Sequence, residues 1–124
     1  MSDDISKLPP NVQERLLRLQ QLQQTLQSVL AQKQQVEMEK TEVEQTMAEL
    51  EKTAADAVIY KAIGSLLVKA EKPKVTEELA ERKSLLDTRS TVMARQEERI
   101  RSQVKEAQTK LQEDLSPVSG QPLS

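Results

Sequence analysis

Cysteine, histidine, tryptophan and phenylalanine are absent from the 124 residues, and tyrosine occurs once, at Tyr60. Without thiol or imidazole, structural zinc sites, thiol catalysis and histidine acid–base chemistry are excluded. Glycine is limited to Gly64 and Gly120, too few for a phosphate-cradling loop or a dinucleotide fingerprint. No cofactor is therefore expected. Aromatic side chains dominate burial in most globular cores, and this chain has almost none to offer. No apolar run approaches the ~20 residues of a membrane span. The N-terminus has no apolar signal core, so a cytoplasmic location is expected. The formal net charge is -2, with no strong basic block, which gives nucleic acid little electrostatic reason to bind.

What is present is leucine, valine, glutamine, glutamate, lysine and arginine, the mixture of long helices and coiled coils. Charged residues make up 31% of the chain and hydrophobic residues 36%. Five zones follow: a flexible lead over 1–8, a helix over 9–53, a connector over 54–75, a second helix over 76–115, and a disordered tail over 116–124 holding Pro117, Gly120 and Pro122. Pro9-Pro10 suits the first turn of the first helix, where a missing N–H costs nothing. Asn11 with Glu14 is a competing cap-like pair. Thr76, followed by Glu77 and Glu78, reads as the cap of the second helix.

Both helices carry heptad signals. In the first, Val12, Leu19, Leu22, Leu26, Val29, Val36, Val43, Met47 and Leu50 fall on alternating steps of three and four, with Lys33 and Lys40 weakening the seam. In the second, Leu79, Leu86, Met93, Ile100 and Ala107 recur every seven residues, with Val104 and Leu111 between them further on. The other intermediate positions are polar: Arg82 or Lys83, Arg89 or Ser90, Gln96 or Glu97. Each helix would span roughly 60 Å. Equal helices about a compact connector predict an antiparallel pair. Opposed residue numbers adding to 129 match Leu50 with Leu79, Val43 with Leu86 and Val29 with Ile100, and set the fold-back axis at Gly64-Ser65. A register adding to 126 is the alternative, and it puts Lys33 against Met93.

The connector differs in character. Val58-Ile59-Tyr60-Lys61-Ala62-Ile63 and Leu66-Leu67-Val68-Lys69 flank Gly64-Ser65. β-Branched and aromatic residues about a Gly-X pair predict a β-hairpin with a type II′ turn, against the alternative of a helix–loop–helix linker. An isolated hairpin is marginal in water and leaves two open edges. Pairing with other hairpins, in a shared sheet or barrel, would close them. Val58, Ile59, Tyr60, Ile63, Gly64, Leu66, Leu67 and Val68 are thus the candidate oligomerisation residues.

The chain resembles a prefoldin β subunit of the archaeal type. The resemblance rests on Pro9-Pro10-Asn11-Val12-Gln13, the glutamine-rich run Leu19 to Gln24, and Gln34 to Glu39. The connector Val58 to Val68, Glu81-Arg82-Lys83 and Arg95 to Arg99 carry it further. The single hairpin at the midpoint of two equal helices is the most specific part. The resemblance implies a mainly α chain, a long antiparallel coiled-coil hairpin whose central β-hairpin assembles into a β-barrel platform. It further implies a hexamer of two α and four β subunits. The activity implied is that of an ATP-independent chaperone holding non-native polypeptide at its coiled-coil tips and passing it to a group II chaperonin.

In such an arm the tip holds Leu8, Val12, Leu16, Leu17 and Leu19 from the first helix, with Val104, Leu111 and Leu115 from the second. Val12, Leu19, Val104 and Leu111 also fit ordinary seam positions. Leu16, Leu17 and Leu115 fall outside a two-helix seam and are surplus apolar surface. Each buried CH₂ contributes roughly 0.8 kcal/mol, so one tip binds weakly and several bind together through effective concentration. Glu37, Glu39, Glu42, Glu44, Glu49 and Glu51 read as solvated surface with some pairing to Arg82, Lys83, Arg89 and Arg95, and Lys33 is an expected partner of Glu97. A structural adaptor that oligomerises through its hairpin and binds one defined partner shares this architecture. An enzyme does not fit it, because two helices and a hairpin enclose no pocket.

Overall fold

The computed structural model describes residues 7–115; the lead before Lys7 and the predicted tail from Ser116 lie outside that span. Two long helices, α1 (Pro10–Glu51) and α2 (Lys72–Leu115), flank two short strands, β1 (Ile59–Ile63) and β2 (Leu66–Ala70). Two compact units result. The terminal unit combines the chain up to Gln32 with the chain from Met93 onward, and the hairpin unit is Lys33–Val92.

α1 starts where its prolines dictate. The Pro9 carbonyl accepts from the amides of Val12 and Gln13, both at 3.0 Å, so Pro10 occupies the first helical position. Asn11 is therefore inside the helix, and its side chain is free for another role. Past Glu51 the chain tightens into a turn, with the Thr53 amide donating to the Leu50 carbonyl at 3.1 Å and its hydroxyl to the same oxygen at 2.6 Å. Lys72 supplies the remaining cap: its ammonium donates to the Thr53 carbonyl at 2.7 Å and the Glu51 carbonyl at 3.4 Å. A cation over the last carbonyls of a helix complements its dipole.

α2 begins at Lys72 rather than at Thr76. The Val75 amide donates to the Glu71 carbonyl at 3.1 Å, which makes Glu71 the helix cap. Pro73 sits within the first turn. The first amides of a helix have no internal acceptor, so proline is tolerated there.

None of the nine apolar seam residues expected on α1 is exposed; Val12, Leu19, Leu22, Val29, Val43 and Leu50 are buried. On α2 Leu86 and Ile100 are buried, and Leu79, Met93, Val104, Ala107 and Leu111 are half-buried. The polar alternatives separate as well. Lys83 and Ser90 are half-buried while Arg82 and Arg89 are exposed, so the seam of α2 steps through 79, 83, 86, 90 and 93. Steps of four and three are those of a coiled-coil seam.

In the hairpin unit polar seam positions are matched across the helices. Lys40 meets Asp87 at 2.9 Å, and the hydrogen bond its ammonium donates to that carboxylate, then the carboxylate's charge, holds the Lys40 ammonium above its usual range. The Ser90 hydroxyl donates to Glu37, and Arg82 approaches Glu39 at 3.6 Å. The residue numbers of the cross-helix polar pairs add to between 121 and 129, because long side chains reach along the seam.

Candidate assembly hairpin and client-contact ends

The strands pair antiparallel as Ile59 with Ala70, Tyr60 with Lys69, Lys61 with Val68, Ala62 with Leu67 and Ile63 with Leu66. Every pair adds to 129, which places the reversal at Gly64-Ser65 as the sequence predicts. Gly64 has φ 59°, and no other described residue has positive φ. A positive φ at the first central position alone is the sign pattern of a type II′ turn, not of type I′. Nothing lies within 4 Å of a Cβ built on Gly64, so the constraint there is backbone conformation rather than space.

Alternation gives the ribbon two faces. Ile59, Lys61, Ile63, Leu66, Val68 and Ala70 share one face, and Tyr60, Ala62, Leu67 and Lys69 share the other. Lys61 orients the first face: its ammonium donates to Glu78 on α2 at 2.6 Å. That bond, before the Lys61 charge itself, holds the Glu78 carboxyl below its usual range. A cleft of about 330 Å³ opens there, lined in part by Ile63, Val68, Ala70 and Val75.

Neither face is covered. Six of the eleven large apolar side chains that stay exposed among the described residues lie between Val58 and Val68, and Leu67 is 73% exposed. The sheet has two strands, so the outer edge of each has no strand beside it. Unpaired strand edges with exposed apolar side chains are a template for pairing with another chain. Of the expected oligomerisation residues, all but Gly64 and the half-buried Ile59 therefore present exposed apolar surface.

The expected client-contact residues divide. Val12 and Leu19 are buried in the seam, Val12 to 2% exposure. Leu8, Leu16, Val104 and Leu111 are half-buried. Leu17 and Leu115 stand open, at 56% and 54% exposure. Leu17 lies on the side of α1 opposite its seam, which explains why burial of the seam leaves it out.

Two further residues of the terminal unit escape a search for apolar surplus. Arg15 and Asp114 occupy positions on the α1 and α2 seams, and their side chains form a salt bridge across the helices. The Asn11 amide donates to the same carboxylate oxygen of Asp114 at 3.4 Å. The sequence holds a signal for this pair, since 15 and 114 add to 129 as the apolar pairs do. A shallow groove of about 530 Å³ runs beside it, with Leu22 and Ala107 among its lining residues.

Two coiled-coil helices about one central β-hairpin, with the hairpin's apolar side chains left exposed, define the class of chain. Comparison with known proteins specifies the class. The profile of the family described as "Prefoldin subunit" matches residues 13–117. Prefoldin subunit beta of Archaeoglobus fulgidus is 44% identical over 116 residues, covering 94% of this chain and 100% of that one. Prefoldin subunit beta of Sulfolobus acidocaldarius is 40% identical, covering 89% and 88%. The crystal structure of a prefoldin beta subunit from a Thermococcus strain superposes with a TM-score of 0.81 at 40% identity, over 90% of this chain and 97% of that one. The chain belongs to the prefoldin subunit family, and within it to the β type.

Proposed function

We propose that the chain is a subunit of an ATP-independent cytoplasmic chaperone. Its hairpin joins those of other prefoldin subunits, two α and four β in all, in a β-barrel platform. Its helix ends take up non-native polypeptide, keep it from aggregating and deliver it to a group II chaperonin. The observation that carries this reading is the distribution of apolar surface on a prefoldin-family chain. The helix pair covers its own seam, while the hairpin and the open residues Leu17 and Leu115 are left for other chains.

The contact at the ends needs no sequence reading, because exposed aliphatic side chains gain burial against any unfolded segment. A single end with two open leucines binds weakly, and several ends about one client multiply the effect through effective concentration. Weak individual contacts also allow release without nucleotide hydrolysis. The test is suppression of aggregation of unrelated denatured proteins by the assembled complex. The double variant Leu17→Ser/Leu115→Ser is expected to keep the assembled mass and lose most of the suppression. Unchanged suppression would overturn client contact through these residues. An adaptor for one folded partner would show no suppression even before mutation.

A further inference from the structure

Val12 is the most deeply covered apolar residue of the terminal unit, although it lies in the first turn of α1. First turns fray, since several of their amides lack acceptors and few contacts hold them. Something must therefore hold this turn closed. Two neighbours of Val12 do so: Asn11, immediately before it, and Arg15, one turn on, both reach across to the carboxylate of Asp114. From the other side, the Gln13 side-chain amide donates to the Leu8 carbonyl at 2.7 Å and ties the entering chain to the same turn.

Asp114 is an unfavourable choice for its local position. It lies in the last turn of α2, where the helix dipole disfavours negative charge. Its side chain is nevertheless only 22% exposed. The cross-helix partners, not the helix that carries it, account for its being there. A polar pair at a seam position fixes register and lowers the stability of the seam, which suits a contact meant to open.

We propose that Arg15, Asn11 and Asp114 form a clasp over a concealed client-contact surface. Opened, the clasp frees Val12 and uncovers more of Leu8 and Leu111, adding to Leu17 and Leu115, which are already open. The ligand class is an extended apolar segment of non-native polypeptide. A client gains this second surface by displacing the clasp, so the end offers Leu17 and Leu115 when empty and a larger apolar surface once a client engages it. This inference rests on the proposed chaperone reading.

Arg15→Glu places two carboxylates together and opens the clasp. Arg15→Glu/Asp114→Arg restores opposite charges and also puts a cation where the α2 dipole favours one. In the assembled complex without client, hydrogen exchange over residues 10–19 and 104–115 should rise about three- to tenfold in the single variant, a range set by exposed ion pairs and helix-end charges. Exchange in the hairpin unit should stay as it was. The double variant should return exchange to the original level or below it. Suppression of client aggregation should increase in the single variant and fall back in the double. The clasp is refuted if exchange in the single variant is unchanged, or if the double fails to reverse it. The concealed surface is refuted if exchange rises without any gain in suppression. Leu17→Ser/Leu115→Ser runs alongside as the control for client contact at the ends: if it alone leaves suppression intact, the chaperone reading of the ends fails instead, whatever the exchange data show.

Discussion

Leu86 and Leu67 belong to the same unit and have the same side chain, yet Leu86 is 1% exposed and Leu67 73%. The difference lies in what each element can cover by itself. A helix with a seam needs only a second helix, and the chain supplies one. A two-stranded ribbon with apolar residues on both faces needs further layers, and the described residues place none over it. Its α2 neighbour reaches it through Lys61 and Glu78, and both faces still remain open. Low aromatic content leads to the same division. With Tyr60 the only aromatic residue, and exposed, no bulky side chain gathers the apolar surface into a private core.

The largest effect should come from the covered side of this contrast. Leu86→Ala removes a fully buried side chain and should destabilise the helix pair by about 2–5 kcal/mol, whereas Leu85→Ala, one residue away and exposed, should fall within about 0.5 kcal/mol. Thermal unfolding followed by helical circular dichroism distinguishes them, and equal losses would break the seam assignment. Next comes the turn. Gly64→Val puts a β-branched residue at φ 59° and should cost about 1–3 kcal/mol in local strain, enough to prevent assembly while the helices stay folded. Native mass spectrometry checks the mass and circular dichroism the helices; normal assembly would refute the type II′ turn.

The smallest effect concerns the strut between ribbon and helix. Glu78 has a lowered carboxyl pKa when folded, against an ordinary value of 4.5. Its contribution is therefore complete above the unfolded value and is lost as pH falls through the folded one. In Glu78→Gln the part of the acid-induced loss that lies below pH 4.5 should shrink slightly. An acid titration of hairpin exchange identical in both proteins would remove the strut from the account.

How much was legible in the sequence follows the same line. The seam of α1 and the reversal at Gly64-Ser65 rest on periodicity and on one backbone preference, and both are visible without coordinates. The start of α2 is not, because Pro73 stops a helix in its interior and begins one in its first turn, and only the course of the chain distinguishes the two. Asn11 shows the same limit. Its cap-like spacing to Glu14 is real, but Pro9 takes the capping place and the amide turns to Asp114. Exposed leucines are legible as surplus to a heptad, while a clasp of polar residues at seam positions reads first as a defect in it.

The central claim is that this chain keeps its seam for itself and leaves its hairpin for other chains. Its most direct test is native mass spectrometry of the chain mixed with a prefoldin α subunit, alongside the variant Leu66→Ser/Leu67→Ser. The account predicts a hexamer for the original chain, and single chains with unchanged helical content for the variant. A chain that stays single with its partner present, or a variant that assembles as fully as the original, would contradict it.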